Sequence, residues 1–357
     1  MERGKKHMMK LLKLEKLPGQ QSMLVFHALA RIGFEGMVIV SPEIPLASVG
    51  YFQDAEKEVD IEYCRKADIP VMRREVGGGA TYLDENQIFY QLIWQKGRSK
   101  FPSKIKDVFS YLSQPACDTY RDFGIETRFR PENDIITKDE RKIAGEGGGD
   151  IGDRMVFVGG ILMDFDYETM SKILKVPDEK FRDKIHKSMK ENLTTMKREL
   201  GKMPDREEVV QSLIQNYRSL IGKLKPINLT KDTVDKMIEI EKWFTSDEFL
   251  YKKTPRIPKG VKIREGVEIL YTIYKARGGL IRTAQEIKSD VIENIGISGD
   301  FQLYPKSELS GLENDLRKTK RKERNILSKV EDFYDKHEVE SPGVEPEDVT
   351  NAILEVE

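Results

Sequence analysis

The sequence predicts a mixed α/β fold (α+β), a central mixed sheet wrapped by helices followed by a small α/β module, and three observations predict it. Residues Ser22 to Ile32 carry Leu24, His27, Ala28 and Arg31 at helical spacing. Two apolar runs, Ile88 to Trp94 and Met155 to Phe165, read as strands bounded by polar and glycine-rich segments. A basic stretch with Pro255 and Pro258, Lys252 to Gly260, separates these from a second strand-rich region.

Taken in order, the chain opens as helix then strand, with Met37 to Val40 forming a short strand before Pro42 and Pro45. A second helix is expected from Ala55 to Ala67, a strand from Ile69 to Arg73, then a glycine triplet and the Ile88 to Trp94 strand. Strands flank a polar turn within Asn133 to Ile143, and Gly159 and Gly160 interrupt the next long strand where backbone comes close to something. The charged, proline-poor stretch Asp178 to Trp243 has a helical pattern and is expected to wrap the sheet. The domain expectation is 1–253 for the first unit, 254–260 for a linker, 261–340 for the second and 341–357 for a mobile acidic tail. In the second unit Val267, Ile269, Tyr271 and Ile273 alternate with period two, and Ala276 to Gly279 supplies a hairpin turn. Leu309, Leu312, Leu316, Leu327, Val330 and Tyr334 mark one face of a long helix, interrupted at Lys320 and Glu323.

Composition narrows the function classes. The chain has 357 residues, 38% of them hydrophobic, and 60 Lys and Arg against 61 Asp and Glu. This balance gives no general argument for nucleic acid or membrane, so any charged partner must be met locally. Cys64 and Cys117 cannot make a disulfide framework, and no CxxC or Cys/His cluster suggests zinc. No apolar run approaches the roughly 20 residues that span a bilayer. These features lead us to expect a soluble cytoplasmic protein without a removable leader.

The segment Arg73-Arg74-Glu75-Val76-Gly77-Gly78-Gly79-Ala80-Thr81-Tyr82-Leu83-Asp84 is the most informative. Consecutive glycines between strands can leave backbone N–H groups bare for a phosphate or carboxylate oxygen, and two guanidiniums at the entrance suit the same ligand. The alternative is a tight turn with solvated arginines. Asn133-Asp134-Ile135 and Lys142-Ile143-Ala144-Gly145 lie across a charged turn from each other, so a polar pair and a lysine can converge on one ligand. Lys142 alone is also compatible with a solvated strand lysine. The absence of GxxxxGK[ST] excludes a P-loop.

In that order, RRxxGGG with a downstream Asp, then ND, then KxxG before a long strand, these motifs resemble the lipoate–protein ligase family of the biotin/lipoate ligase fold, over about Gln20 to Trp243. The resemblance implies an enzyme that binds ATP with Mg²⁺, converts lipoate or octanoate to acyl-AMP, and passes the acyl group to a lysine of a lipoyl-carrier protein. That carrier is the glycine cleavage H protein or an E2 lipoyl domain. It places Arg74, Gly77, Gly78, Gly79 and Asp84 along the acyl and phosphate channel, and Gln53, in the Gly50 to Gln53 segment, in the acyl tunnel. Asn133, Asp134 and Gly145 fall to ATP, Lys142 to the carboxylate and α-phosphate as the catalytic cation, and Asp134 to Mg²⁺. The chemistry agrees: two anions meet when a carboxylate attacks a phosphate, and a fixed cation is needed there. Leu83 stands where many members carry His, and Ala144 where many carry a small polar residue, leaving lipoate against octanoate open. Gly145 to Asp150 matches the family's adenylate loop and is expected to be disordered or a lid.

Residues from about Lys259 to Lys336, marked by Ile297-Ser298-Gly299-Asp300-Phe301 and Tyr304-Pro305, resemble the small accessory domain of these ligases, which the resemblance ties to acid activation. Within it Arg317 to Arg324 holds six basic residues and one acid, either a solvated helix face or a docking face for an acidic carrier. An octanoyltransferase of the same fold is the nearest rival, and one subgroup carries a cysteine just upstream of the KxxG lysine. Here Arg128 to Asp134 contains none, and Cys64 and Cys117 read as buried thiols. The GRGRxGR run of biotin ligases is absent. A non-catalytic lipoate-binding module is the third reading.

Overall fold

The computed structural model describes residues 8–176, 181–255 and 266–355. The described chain begins with a strand, β1 (Met9–Leu17), followed by α1 (Gly19–Arg31) and β2 (Gly36–Pro42). The expected helix-first opening is therefore wrong. MKLLKLEKL mixes lysine and leucine at a spacing close to two, and Met9, Leu11 and Leu12 are buried as strand residues. Next come β3 (Leu46–Val49), α2 (Ala55–Glu58), α3 (Ile61–Lys66), β4 (Val71–Arg73) and β5 (Thr81–Leu83). One helix was expected over Ala55 to Ala67, but Asp60 starts a second one by accepting the Tyr63 N–H at 2.9 Å.

The chain continues through β6 (Gln87–Gln95), α4 (Ile105–Asp122), β7 (Thr127–Arg130), β8 (Asp134–Thr137), β9 (Lys142–Ile151) and β10 (Arg154–Leu162). After these come α5 (Tyr167–Ile173), α6 (Arg182–Asn192), α7 (Met196–Leu200), α8 (Arg206–Ile221), β11 (Leu224–Ile227), α9 (Lys231–Phe244) and α10 (Asp247–Leu250). Eight strands form one mixed sheet in the order β11-β1-β2-β6-β10-β9-β8-β7, while β4, β3 and β5 make a small sheet beside it. β1 is parallel to both β11 and β2, and the ladders from β2 to β7 are antiparallel. β6 is buried at eight of its nine positions because helices cover both faces of the sheet. Tyr90 and Leu92 pack with α4 and α8, and the alternate residues Phe89 and Ile93 pack with α1 and α9.

The expected lid at Gly145 to Asp150 is instead the middle of β9, with Gly147, Gly148 and Gly149 paired to Val158, Phe157 and Val156 of β10. Close approach explains these glycines. A Cβ on Gly149 would lie 2.7 Å from the Glu75 carbonyl oxygen, and one on Gly148 would lie 2.7 Å from the Tyr304 hydroxyl.

Beyond residue 265, β12 (Val267–Ala276), β13 (Gly279–Lys288) and β14 (Val291–Gly299) form an antiparallel sheet, followed by α11 (Glu308–Asp315), α12 (Glu323–Lys336) and α13 (Pro346–Leu354). The expected hairpin is β12–β13. The leucine stripe lies on two helices rather than one, divided by a segment in which Lys318 has φ 63°. The acidic tail, expected to be mobile, forms α13: Pro346 starts it, Glu345 and Asp348 make a capping box, and Ala352 and Ile353 are fully buried. Of the expected linker, Thr254 donates to the Asp54 carboxylate at 2.6 Å, and residues 256–260 lie outside the described residues.

The C-terminal sheet packs directly on the larger part. The Phe301 ring stacks on Phe52 at 5.2 Å, Gly299 N–H donates to the Phe52 carbonyl at 2.9 Å, and Lys306 N–H donates to Asp150 Oδ1 at 2.9 Å. Lys253 and Glu313 add an ion pair of 2.8 Å.

Arg73, expected at the entrance of an anion nest, is fully buried and turned away from it. Its guanidinium donates to the carbonyls of Gly50 (2.8 Å), Tyr51 (2.9 Å), Phe249 (2.8 Å) and Leu250 (2.5 Å), tying β4 to α10. An ammonium cannot reach all of these carbonyls. Arg73→Lys should lower unfolding free energy by about 2–4 kcal/mol, measured by urea denaturation, because buried acceptors lose their donors. A loss below about 0.5 kcal/mol, the range of an ordinary surface change, would contradict this structural role.

Candidate functional site

On the α1 side of the large sheet, a cavity of about 490 Å³ lies between β6, β10, the glycine triplet and α6. Met23 and Phe26 of α1, Phe89 of β6, Val158 of β10, Phe165 and Met170 give it an apolar wall. Arg74, Gln91, Arg130, Asn133 and Lys142 are among its polar groups. A cavity of this size, mostly apolar with few convergent polar groups, suits a small acid with a hydrocarbon tail.

Lys142 begins β9, and its position is set by two local features. The β8–β9 ladder is irregular between Ile135 and Ile136, and Gly145 leaves free the space the lysine takes: a Cβ there would be 2.9 Å from Nζ. The ammonium pairs with Asp134 Oδ1 at 2.7 Å, while Asp134 Oδ2 accepts from Arg130 at 2.7 Å. Burial alone would raise the Asp134 carboxyl, but Lys142 and Arg130 outweigh it and hold the group below its ordinary range. Asn133 Nδ2 donates to the Glu146 carbonyl at 2.8 Å, and Glu146 N–H donates back to the Asn133 carbonyl at 2.9 Å, which fixes the turn onto β9.

The glycine triplet is not an open nest. Gly77 N–H points to the Gly148 carbonyl at 3.3 Å and Gly78 N–H to the Phe301 carbonyl at 3.4 Å. Arg74 holds the loop from inside, donating to the carbonyls of Gly77 (3.0 Å) and Gly79 (2.8 Å) and to Ser48 Oγ (3.1 Å). Gly77 must lack a side chain because a Cβ would sit 2.9 Å from the Phe301 oxygen, and Gly78 has φ 92°.

Six of the sequence candidates therefore line one cavity: Arg74, Gly78, Gly79, Asn133, Lys142 and Gly145. Asp134 acts on it through Lys142. Gln53, expected in the acyl tunnel, is buried outside the cavity with its Oε1 accepting the Gly50 N–H at 2.8 Å. Asp84 likewise stays out and caps its own turn, accepting the Asn86 N–H at 2.9 Å. Neither Cys64 nor Cys117 lines the cavity, and burial raises their thiols to about 11 and about 12. Among the described residues no group of three or more His, Cys, Asp or Glu could hold a metal ion. Asp134, the Mg²⁺ candidate, spends both oxygens on cations.

Residues 35–218 match the lipoyl protein ligase A/B catalytic domain. The chain belongs to that family. It is 30% identical over 212 residues, 55% of this chain and 79% of the relative, to lipoate-protein ligase A subunit 1 of Thermoplasma acidophilum. It is 22% identical over 58% of its length, and 84% of the relative, to the octanoyltransferase LipM of Kyrpidia tusciae. Among solved structures, an archaeal bipartite lipoate protein ligase from Thermoplasma acidophilum, studied with its E2 lipoyl domain, superposes with a TM-score of 0.62 at 26% identity, covering 71% of this chain and 100% of that one. Plasmodium falciparum LipL1 in complex with lipoate superposes with a TM-score of 0.70 over 97% of this chain and 99% of that one, a likeness of fold at 14% identity. The lipoate ligase fold expected from the motifs is the one observed, and the family supports a ligase or transferase role.

Glu146 is the feature of this lipoyl ligase family member that sequence reasoning missed. Its carboxyl is buried under the sheet, taking the Tyr90 hydroxyl at 2.6 Å and contacting Ser113 Oγ. Ser113 has one hydroxyl proton, which the Phe109 carbonyl can only accept, at 2.6 Å. The Glu146–Ser113 contact then requires the proton on Glu146, in agreement with burial raising its pKa to about 8. A lone acid inside a glycine run was the available signal.

The folded state keeps this proton while the unfolded carboxyl releases it near 4.5, so the group's contribution to stability falls as pH rises from about 4.5 to about 8. Buried His27 acts oppositely, since burial lowers it to about 3 and its contribution is lost as pH falls below 6.5. Glu146→Gln retains a donor and an acceptor for Ser113 and Tyr90. Relative to the parent, it should gain stability progressively between pH 5 and 8, followed by thermal unfolding at each pH. A pH-independent difference between the two proteins would show that Glu146 is ionised in the fold.

Proposed function

We propose that the chain is an ATP-dependent lipoate–protein ligase that activates lipoate, or its analogue octanoate, as acyl-AMP and passes it to a carrier lysine. The observation that carries this reading is a cavity with an apolar wall in which Lys142 is held by Asp134 and no thiol is present. The hydrocarbon tail of the acid lies along Met23, Phe26, Phe89 and Val158, and its carboxylate faces Lys142 and the Arg74-held glycines. The carboxylate oxygen attacks the α-phosphorus of ATP, a C–O–P link forms, and pyrophosphate leaves. Lys142 offsets the charge that builds on the oxygens between the two groups. The amine of the carrier lysine then attacks the acyl carbon, giving an amide and AMP.

Mg²⁺ accompanying ATP would supply further charge neutralisation on the phosphates, and among the described residues no group of three or more carboxylates or other ligands gathers to hold it. Asp134 serves instead to orient Lys142. The Thermoplasma ligase is described together with its E2 lipoyl domain, which supports such a domain as the carrier, with a glycine cleavage H protein as the alternative. The C-terminal sheet, in contact with Gly77 and Gly78 through Phe301, is proposed as the unit that assists acid activation. No helix among the described residues is long and apolar enough to cross a membrane, and we place the enzyme in the cytoplasm.

The rival octanoyltransferase reading is favoured by the similarity to LipM. In its cysteine subgroup the thiolate forms a thioester, which the raised pKa values of Cys64 and Cys117 oppose.

Lys142→Ala should leave folding intact, since the side chain is 38% exposed. It should cut pyrophosphate release with ATP and lipoate about 100- to 1000-fold, as loss of one oxyanion donor does. Near-parental release would remove Lys142 from the chemistry. Cys64→Ala combined with Cys117→Ala should keep ATP-dependent ligation of an E2 lipoyl domain, scored by mass spectrometry of the modified domain. A folded double variant that no longer transfers the acyl group would favour the thioester mechanism.

A further inference from the structure

The segment between α11 and α12 carries a concentration of charge that the proposed reaction does not use. It is not a loose loop: Lys318 N–H donates to the Ile292 carbonyl at 2.7 Å and Ile292 N–H to the Thr319 carbonyl at 2.9 Å, so the segment is laced to the edge of β14. Together with the first turns of α12 it forms a shallow concavity of about 490 Å³ lined by polar residues alone, five of them cationic and none acidic.

Most of this charge lacks an ion-pair partner among the described residues. Lys318 pairs with Glu293, and Arg317 donates to the Asn294 side chain at 2.9 Å. Lys320, Arg324 and Lys329 are exposed, and their side chains have no ion-pair or hydrogen-bond partner among the described residues. Glu323 adjoins Arg324, and Glu331 and Asp332 follow Lys329 on α12, but none of these acids lines the concavity. Two further features leave donors free. Lys322, at the start of α12, gives no side-chain cap, and the Thr319 hydroxyl, on a residue only 6% exposed, has no partner. In a chain of net charge −1, such a patch is a local concentration of positive charge open to an anionic partner. Without an apolar wall it does not suit a small hydrophobic ligand, and an open polar concavity suits the charged rim of a protein interface.

We infer that this patch docks the acidic face of the carrier domain whose lysine accepts the acyl group, an inference that rests on the ligase reading. The spacing fits. β14, nine residues long, runs from Val291 beside the patch to Gly299, which precedes Asp300 at the glycine triplet, and nine residues of strand span roughly 30 Å. A folded domain of about 100 residues has a radius of gyration of about 13 Å, so one carrier domain can touch the patch while its lysine enters near Gly79. Opposite charge would speed encounter and orient the domain without entering the chemistry.

The test uses the full chain with Lys320→Glu, Arg324→Glu and Lys329→Glu combined, all at exposed positions, and an unmodified E2 lipoyl domain as the acceptor. KM for the lipoyl domain should rise about tenfold with kcat changed less than about twofold, and its increase with NaCl should flatten. Pyrophosphate release from ATP and lipoate without carrier, and the unfolding temperature, should match the parent. An unchanged KM and salt dependence, with normal pyrophosphate release, would overturn the docking site while leaving the ligase reading standing. Absence of pyrophosphate release from the parent would instead sink the ligase reading and this inference with it. If a single-stranded oligonucleotide bound the parent and not the variant while the carrier KM stayed the same, the patch would belong to nucleic acid and the inference would be wrong.

Discussion

One buried guanidinium sets the shape of the cavity. Arg74 is only 7% exposed and has no carboxylate partner among the described residues; it is satisfied by the carbonyls of Ser48, Gly77 and Gly79 and by the Ser48 hydroxyl. Burial and the neighbouring Arg73 lower its pKa to about 10, which still leaves it charged at neutral pH. Because the triplet's carbonyls turn inward to this cation, its N–H groups at Gly77 and Gly78 turn outward to β9 and to Phe301. The loop thereby joins the sheet, the cavity and the C-terminal unit. A cation balanced by dipoles rather than by an anion also gives the cavity a positive potential, which suits a carboxylate ligand.

Much of this was legible from residue types. Lys142 with Gly145, and Asn133 with Asp134, are short-range patterns whose proximity survives folding, because the strand ladder that brings them together joins neighbouring strands. The strands around Ile88 and Met155 were legible for the same reason, as long apolar runs with nothing helical in their spacing. What failed depended on distant partners. Gly147 to Gly149 read as flexible because glycine alone does not distinguish freedom from close approach, and the atoms that make contact belong to Glu75 and Tyr304. Arg73 and Arg74 look equivalent in sequence, yet alternation along the chain sends one to α10 and the other to the glycine loop. Gln53 and Asp84 are polar side chains that satisfy their own turns. Glu146 could be recognised as a neutral acid only once Tyr90 and Ser113 surrounded it.

Gly159 and Gly160 show how the sheet accommodates both layers. A Cβ on Gly159 would strike the Tyr90 ring at 2.3 Å on one side, and one on Gly160 would come within 3.3 Å of Phe89 on the other. Adjacent positions on one strand thus make room for aromatic rings in two separate layers, one belonging to the buried Glu146 network and one to the ligand cavity.

The route of the chain also fixes an order of assembly. β2, β6, β10 and β9 can pair as an antiparallel sheet early in synthesis, but β1 waits for β11 more than two hundred residues later to cover its outer edge. The glycine triplet waits longer, because its outer support is Phe301. A ribosome-bound chain that already holds every residue lining the cavity therefore still lacks the outer support of its glycine loop until Phe301 has emerged. The loop that frames the pocket is thus propped only once most of the chain has been made.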